Sequence, residues 1–221
     1  MSKGARQTVN ENSRSFIIGD IHGCRNLLEE MLRIIPWNPE EDNLIFIGDY
    51  IDRGDDSKGV VDILINLMKM SPNVQCLMGN HESLFLDYIS GRDKKTFLYN
   101  GGIETLNSYK VNGNIKIPQE HISFFENLKT LIELDNYYVV HAGLMPGVDI
   151  ENQTVQDKLW IREKFIFSDY DFGKKIIFGH TPYLSPYMTH NKIGLDTGAV
   201  FGNKLTCIEL PGEKYYYVGA K

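Results

Sequence analysis

The stretch LIFIGDYIDRG, residues 44–54, decides the fold of this chain. It opens with four large apolar residues, three of them β-branched or aromatic, which predicts a buried strand. Asp49, Asp52 and Arg53 follow directly after this run and Gly48. Charged side chains have no role in an apolar core, and α/β folds bind their ligands at the carboxyl ends of strands. We therefore predict a functional edge of a sheet at this point.

The same arrangement occurs four more times along the chain, where short apolar runs end beside Asp, His or Asn and glycine. The residues after these runs are Asp20 and His22 (run 16–18), Asn80 and His81 (run 74–78), His141 (run 137–140) and His180 (run 176–178). Carboxylate and amide oxygens mixed with imidazole suit divalent manganese, iron or zinc. The donors are numerous enough for two ions if one carboxylate bridges them, so we predict a dinuclear metal site.

Composition bounds the class of protein. With 221 residues, the chain is long enough for one well-buried domain and short for two. The net charge of -6 argues against a nucleic-acid backbone as the main partner. Three cysteines without a CxxC pair indicate reduced thiols, and neither a secretory signal nor a bilayer-length apolar run occurs. We expect a cytoplasmic monomer without nucleic-acid or membrane partners, with a flexible tail over 1–13 and one domain over 14–221.

Apolar periodicity gives the order of the elements. Helical spacing predicts helices over 25–35, 58–70 and 84–89, which alternate with the first three strands and indicate a largely parallel sheet. Residues 90–136 are less regular; they contain a predicted helix over 121–134 and form a candidate cap or substrate-facing insertion. The last third is rich in strands and poor in helix, with strands predicted over 137–141, 175–179, 192–196, 204–210 and 214–218. The pattern favours an α/β sandwich whose strands are largely parallel in the first half of the chain.

The motifs together resemble those of a known family. The five motifs are GDIHG (19–23), GDYIDRG (48–54), GNHE (79–82), HAG (141–143) and GH (179–180). In this order they are similar to the calcineurin-like metallophosphoesterases, and within these to the phosphoprotein phosphatases that act on phosphoserine and phosphothreonine. The small bacterial and lambda-phage members are the nearest in pattern, and the resemblance runs from about residue 15 to residue 210. It implies two mixed β-sheets packed as a sandwich and flanked by helices.

The resemblance also implies a set of metal ligands. Asp20 and His22 would bind the first ion, Asp49 would bridge both ions, and Asn80, His141 and His180 would complete the second. We expect the two divalent ions to be manganese, with iron or zinc as alternatives. A hydroxide held between them would attack phosphorus directly, without a phosphoenzyme.

The remaining roles fall on four residues. His81 would protonate the leaving alkoxide and Asp52 would orient its imidazole, because a neighbouring carboxylate keeps a histidine protonated to higher pH. Arg53 would bind the phosphate oxygens through its planar guanidinium. The segment WIR, residues 160–162, resembles the one that supplies a second arginine in the phage-type enzymes, which points to Arg162.

Three functions follow from this pattern. The first is a protein phosphatase, or more generally a phosphomonoesterase acting on a phosphoprotein or a small phosphoester. The second is a symmetrical dinucleoside polyphosphate hydrolase, because Met78 stands where the protein phosphatases usually carry arginine and that sister group has an apolar residue. Asp52 and the short chain favour the first function. The third is a scaffold that binds phosphate without catalysis, although every expected ligand is present.

Several polar residues near the motifs have simpler interpretations. A carboxylate in the first turn of a helix is stabilised by the helix dipole, and we prefer this role for Glu82 over metal ligation. His121 and His190 are expected to be packing or capping residues. Cys24 is expected to be a small buried side chain rather than a nucleophile.

Overall fold

The computed structural model describes residues 13–219, so the predicted tail lies outside the described residues except for Ser13. The described strands fall into two five-stranded sheets and one short hairpin. In chain order they are β1 (Ser15–Ile18), β2 (Asn43–Phe46), β3 (Val74–Cys76), β4 (Lys110–Val111), β5 (Asn114–Ile115), β6 (Ile132–Glu133), β7 (Tyr137–Val139), β8 (Lys175–Phe178), β9 (Tyr187–Met188), β10 (Lys192–Gly194), β11 (Lys204–Leu210) and β12 (Lys214–Gly219).

Both large sheets are mixed. The first has the order β12-β11-β1-β2-β3, in which β1, β2 and β3 are parallel and β11 and β12 antiparallel. The second has the order β6-β7-β8-β10-β9, in which β7, β8 and β10 are parallel. The parallel strands carry the five motifs, so the motifs all lie at carboxyl ends of strands.

Helices cover the outer faces of the sheets. The described helices are α1 (Arg25–Ile34), α2 (Ser57–Met70), α3 (Asn80–Ile89), α4 (Lys94–Phe97), α5 (Ile103–Ser108), α6 (Gln119–Glu126), α7 (Val155–Trp160) and α8 (Glu163–Ile166). A π-type turn over Leu98–Gly102 joins α4 to α5 and is interrupted at Gly101, whose φ is 99°. Short 3-10 turns lie at Ile150–Asn152 and Ala199–Phe201. None of the helices within residues 13–219 is long and apolar enough to cross a membrane.

Alternating side chains of β1 and β2 fill two of the three hydrophobic cores of the described residues. Ile17 and Ile45 belong to the core between the sheets, whereas Phe16, Leu44 and Phe46 belong to the core under the helices. Successive side chains of a strand point to opposite faces, and both faces here are buried. This double burial explains why the strands appear in the sequence as continuous apolar runs rather than as alternating ones.

The fold class is as predicted, and one predicted helix is wrong. The helices predicted over 25–35 and 58–70 are confirmed to within one residue, and the third begins earlier than predicted, at Asn80. The helix predicted over 121–134 ends at Glu126 instead. Beyond it Lys129 makes a β-bridge with Leu77, and Ile132 pairs with Val139 in the second sheet. The last third also contains α7 and α8, which the strand-rich pattern did not predict.

Candidate active site

The predicted ligands meet where the two sheets adjoin. Because β1, β2 and β3 run parallel, their carboxyl ends place Asp20, His22, Asp49 and Asn80 along one edge. The parallel strands β7 and β8 of the second sheet bring His141 and His180 to the same place. All of these side chains are buried. The site therefore contains ligands from both sheets.

Asp49 is the centre of this cluster. Its Oδ2 lies 3.5 Å from His22 Nε2, and its Oδ1 lies 3.4 Å from His141 Nε2. Each imidazole uses its other nitrogen to bond a backbone carbonyl: His22 Nδ1 is 2.8 Å from Ile51 O, and His141 Nδ1 is 2.9 Å from Ile47 O. These bonds place the proton on Nδ1, so each Nε2 carries the lone pair that a metal ion would need. One carboxylate oxygen thus faces each histidine, as a bridging ligand requires.

Asn80, His180 and Asp20 complete the donor set. Asn80 Oδ1 lies 3.0 Å from His141 Nε2 and 2.8 Å from His180 Nδ1, and the His180 backbone N–H donates to Asp20 Oδ2 at 3.0 Å. Within residues 13–219, three buried side-chain N or O atoms have no hydrogen-bond partner, and Asp20 Oδ1 and His180 Nε2 are two of them. Buried polar atoms without partners are rare in proteins. Unpartnered donors beside clustered imidazole and carboxylate groups fit divalent metal ions.

The pKa values of the predicted ligands also suit metal binding. Burial lowers the pKa of His22 to about 3 and that of His180 to about 2, and it also lowers the pKa of His141. The three rings are therefore neutral near pH 7, which is the form that binds metal. Burial raises the pKa of Asp49, but the four surrounding histidines outweigh burial and hold it well below its usual range.

Backbone strain is concentrated at the site. Seven non-glycine residues within 13–219 have positive φ, and five of them are predicted site residues: His22, Asp49, Asp52, Arg53 and His180. Left-handed backbone is unfavourable for residues with a Cβ atom and persists only where the surroundings fix it. The chain thus bends sharply just after β1, β2 and β8, and these bends turn the polar side chains towards one another.

His81, Asp52 and Arg53 form a second group beside the metal ligands. His81 Nδ1 lies 2.6 Å from Asp52 Oδ2, and both side chains are buried. Arg53 Nη2 lies 2.9 Å from His81 Nε2, and its Nη1 lies 2.7 Å from His22 Nε2. Burial lowers the pKa of His81, but the carboxylates of Asp49 and Asp52 outweigh it and raise the pKa overall. The arrangement has the contacts expected of an acid and its orienting carboxylate.

The ring of His81 also lies near the first group of ligands. Its Nε2 is 3.9 Å from Asp49 Oδ2, and ligand atoms of His22, Asp49 and His81 lie within 4.8 Å of one another, close enough to share an ion. The His81 Nδ1 bonds a carboxylate, whereas Nδ1 of His22 and of His141 bonds a backbone carbonyl, and a carboxylate partner raises the pKa of the ring, which suits a proton donor. We therefore retain the predictions that His81 is the proton donor and that Asp20 is a ligand of the first ion.

Arg162 lies on the side of the second sheet. It precedes α8, and its Nη1 donates to Thr181 Oγ1 at 3.1 Å. Its positive charge contributes to the lowered pKa values of His141 and His180, and its partner Thr181 directly follows His180 in the chain. The role of Arg162 as the second phosphate-binding arginine stays a prediction.

Two buried acids have roles that the sequence did not predict. Glu82 accepts the backbone N–H of Asp49 and Gly79 through Oε2, both at 2.9 Å, and that of Tyr50 through Oε1 at 2.8 Å. It lies in the first turn of α3, as the helix-dipole interpretation requires, but it also fixes the backbone of the bridging ligand. Asp196 follows β10 and accepts the backbone N–H of Gly198 through Oδ1 at 3.0 Å, and burial raises its pKa to about 6. The glycine-flanked motifs gave no signal for either role.

A cleft opens beside the site. It has a volume of about 790 Å³ and is lined by Arg53, Arg25, Asp55, Asp56 and Val200, among others. A volume of this size is typical of small-molecule sites. Arg53 lines the cleft and also contacts His22 and His81, so it lies between the cleft and the predicted ligands, none of which lines the cleft itself.

Comparisons with known proteins show the family of this chain. The family model of calcineurin-like phosphoesterases matches residues 13–210, and the chain belongs to this family. It is 30% identical to serine/threonine-protein phosphatase 1 of Salmonella typhimurium, over 86% of this chain and 89% of that protein. It is 28% identical to the asymmetrical bis(5'-nucleosyl)-tetraphosphatase PrpE of Oceanobacillus iheyensis, over 93% of this chain and 92% of that protein.

Solved structures show the same fold. A structure provisionally described as a diadenosine tetraphosphatase superposes with a TM-score of 0.78 at 24% identity, covering 97% of this chain and 96% of that one. A serine/threonine phosphatase of Saccharomyces cerevisiae superposes with a TM-score of 0.68 at 16% identity, covering 96% and 81%. The chain is therefore a metallophosphoesterase in family and in fold, and its relatives carry the names of two substrate classes.

Proposed function

We propose that this metallophosphoesterase is a protein phosphatase that acts on phosphoserine and phosphothreonine, with phosphotyrosine as an additional substrate. The observation that carries the proposal is the buried pair of His81 and Asp52, 2.6 Å apart. A serine or threonine alkoxide is a strong base and a poor leaving group, so its departure depends on a proton donor. A nucleotide leaves as a stable phosphate anion and needs that donor far less. The pair therefore favours phosphomonoesters over dinucleoside polyphosphates.

Each part of the site has a chemical task. Divalent ions held by the six predicted ligands would supply positive charge that polarises the phosphoryl group and makes water more acidic. Arg53, with Arg162, binds the phosphate oxygens and orients the ester. The oxygen of hydroxide forms the new bond to phosphorus, the ester P–O bond breaks, and the leaving oxygen takes the proton from His81 Nε2. None of the three cysteines begins a CxxxxxR motif, which agrees with direct hydrolysis.

Arg53 has to move for this proton transfer. With Nδ1–H donated to Asp52, His81 Nε2 accepts from Arg53 Nη2 and carries no proton. When the guanidinium turns to the substrate phosphate, Nε2 is released and takes up a proton, because the neighbouring carboxylates raise the pKa of His81. Substrate binding thus prepares the acid.

A comparison of two substrates tests the proposal. Rates are measured side by side, with manganese added, on a phosphoserine peptide and on diadenosine tetraphosphate. We expect fast turnover of the peptide and slow cleavage of the dinucleotide. The reverse result would indicate that the protein is a dinucleoside polyphosphate hydrolase. A metal-loaded preparation that is inert on all phosphoesters supports the phosphate-binding scaffold.

Hydrolysis of dinucleoside tetraphosphates is the second candidate function. It is favoured by the relative from Oceanobacillus iheyensis, by the apolar Met78 before the GNHE motif, and by a cleft larger than a serine side chain needs. Product analysis distinguishes its two forms. Symmetrical cleavage of diadenosine tetraphosphate gives only ADP, whereas asymmetrical cleavage gives ATP and AMP.

A further inference from the structure

Thr105, in the short helix α5, contacts the carboxylate of the proposed acid–base pair. We propose that Thr105 is a positioning residue that holds Asp52, and through it the ring of His81, in the orientation that protonation of the leaving group needs. The inference rests on the proposed function, in which His81 donates that proton. It also places part of the 90–136 block behind the reaction centre, as support for the loop of residues 52–53.

Every hydrogen bond of the Thr105 hydroxyl is made with Asp52 or Ser57. Its Oγ1 donates to Asp52 Oδ1 at 2.6 Å, accepts from the Asp52 backbone N–H at 2.8 Å, and lies 3.0 Å from Ser57 Oγ. A hydroxyl has one proton and two lone pairs. With its proton on Asp52, its lone pairs take the Asp52 N–H and the Ser57 O–H. Thr105, Ser57 and Asp52 have no exposed surface, so water does not replace any of these bonds.

The two oxygens of Asp52 have separate partners. Oδ1 accepts the hydrogen bond of the Thr105 hydroxyl, and Oδ2 lies 2.6 Å from His81 Nδ1. Asp52 also has a left-handed backbone, with φ of 71°, and such a conformation persists only where surrounding groups fix it. Thr105 fixes both the backbone and the carboxylate. Without its hydroxyl, Oδ1 becomes a buried acceptor with no donor, and the carboxylate is free to rotate away from His81.

A second contact fixes the position of α5. Gly101, in the turn that leads into α5, accepts the backbone N–H of Arg53 at 3.1 Å. A Cβ atom at Gly101 would lie 2.8 Å from Arg53 Cγ and 3.0 Å from Arg53 N, so glycine permits this close approach. The same segment thus contacts Asp52 and Arg53 through different residues. This double contact makes α5 a rigid support for the loop that carries both.

The test uses the substitution Thr105→Val, which keeps the shape and removes the hydroxyl. Two simple phosphomonoesters are compared with manganese added: an alkyl phosphate, whose leaving group needs a proton, and a nitrophenyl phosphate, whose leaving group does not. We expect kcat for the alkyl ester to fall about tenfold or more and kcat for the aryl ester to fall by less than about threefold, with KM unchanged. Thr105→Ser should restore the alkyl rate.

Thr96→Val is the matched control. The Thr96 hydroxyl donates to Asp93 Oδ2 at 2.5 Å at the start of α4, so the control removes the same type of bond from the same block without touching Asp52. The alkyl and aryl rates of this variant should equal those of the wild type. Equal losses on both esters in Thr105→Val, or no loss on either, overturn the proposal.

A double substitution isolates the path through His81. In a His81→Asn background the acid is absent, so Thr105→Val should cause no further loss on the alkyl ester. A further loss of the same size as in the wild-type background would show that Thr105 acts by another route, and would overturn the proposal.

A measurement without turnover separates this inference from the proposed function. The His81 Nδ1–H proton bonded to Asp52 should give a downfield NMR resonance in the metal-free protein. We expect Thr105→Val to shift or broaden it and Thr96→Val to leave it in place. If His81→Asn lowers both ester rates equally, the proposed general-acid chemistry fails. In that case the NMR resonance is the remaining test of whether Thr105 orients the His81 ring. If Thr105→Val leaves the resonance unchanged, the inference is overturned.

Discussion

At the scale of single residues, this site depends on groups that hold the ligands as much as on the ligands themselves. Asp49 offers one oxygen to His22 and one to His141, and Glu82 accepts its backbone N–H. Carboxylate oxygens fix the ligand backbone here because left-handed residues are strained and need such partners. The geometry of Asp49 therefore depends on Glu82.

The substitution Glu82→Gln tests this dependence. An amide has one oxygen, so its NH2 group would face backbone N–H donors of Asp49, Gly79 or Tyr50 and repel them. We expect metal affinity to fall about 10–100-fold, the usual effect of losing a group that orients a ligand. Titration calorimetry with manganese measures the change. Exposed Glu126→Gln, in α6, is the control, and unchanged affinity in Glu82→Gln would contradict the argument.

The substitution His81→Asn tests the acid directly. It removes the proton donor without introducing bulk, so hydrolysis of esters with poor leaving groups should slow about 100-fold or more. Esters with good leaving groups should be affected much less, because their departure needs no proton. The measurement is kcat across a series of phosphomonoesters with leaving groups of different basicity. A dependence on leaving-group basicity that is as steep in the wild type as in the variant, or equal losses on all esters in the variant, would exclude His81 as the acid.

The sequence predicted which side chains meet, but not what supports them. Asp20, His22, Asn80, His141 and His180 each stand within two residues of a glycine after an apolar run, and parallel strands bring such positions together, so pattern alone was enough. Their individual roles remain predictions. Thr105 and Ser57 do not follow such a run. The contacts of Thr105 and Ser57 with Asp52 arise because distant segments pack together, and one sequence does not show that packing.

At the scale of elements, the same limit explains the helix predicted over 121–134. Leu128, Leu131 and Ile132 continue the helical spacing of α6, but a short apolar run fits a strand as well. The chain leaves the helix at Asn127 and uses Lys129 and Ile132 to pair with strands. The structure of this segment, whose local pattern was ambiguous, is thus determined by its pairing with strands distant in the sequence.

The helix α6 carries a histidine whose effect on stability depends on pH. His121 is buried; its Nδ1 lies 2.8 Å from Tyr109 Oη, and its Nε2 lies 3.0 Å from Asp62 Oδ1. Burial lowers its pKa and Lys58 lowers it further, while Asp62 and Glu120 oppose this. The unfolded chain therefore binds a proton at higher pH than the folded protein does, and the contribution of His121 to stability falls as pH drops below about 6.5.

Denaturation at several pH values tests this contribution. At pH 8, His121→Gln should lower the free energy of unfolding by about 1–3 kcal/mol, because Tyr109 and Asp62 lose a buried partner. The difference in the free energy of unfolding between wild type and variant should become smaller as the pH falls from 6.5 to 5. Urea unfolding measures both effects, with exposed His190→Gln as the matched control. A gap that is constant or widens towards low pH would contradict the assignment.

At the scale of the whole molecule, the site joins two layers that are otherwise held by an apolar interface. Ile17, Ile45, Val139, Ile177 and Ile193 pack between the sheets. At the strand ends this contact gives way to buried polar groups, with Asp49 from the first sheet facing His141 from the second at 3.4 Å. Ions bound by both sheets would therefore link the layers, and the folded state alone assembles this donor set.

Thermal unfolding with and without manganese tests this link. At a free metal concentration of about 100 times the dissociation constant, binding adds about 2.7 kcal/mol to stability. For a domain of this size that corresponds to a rise in Tm of roughly 5–10 °C. Chelator should reverse the rise. In His141→Ala, which removes a ligand of the second sheet only, most of the metal-induced shift should disappear even if the metal-free Tm also changes, whereas His190→Ala should keep the full shift. If His141→Ala retained the full shift, His141 would not hold an ion, and the link that it is proposed to make between the two layers would be excluded.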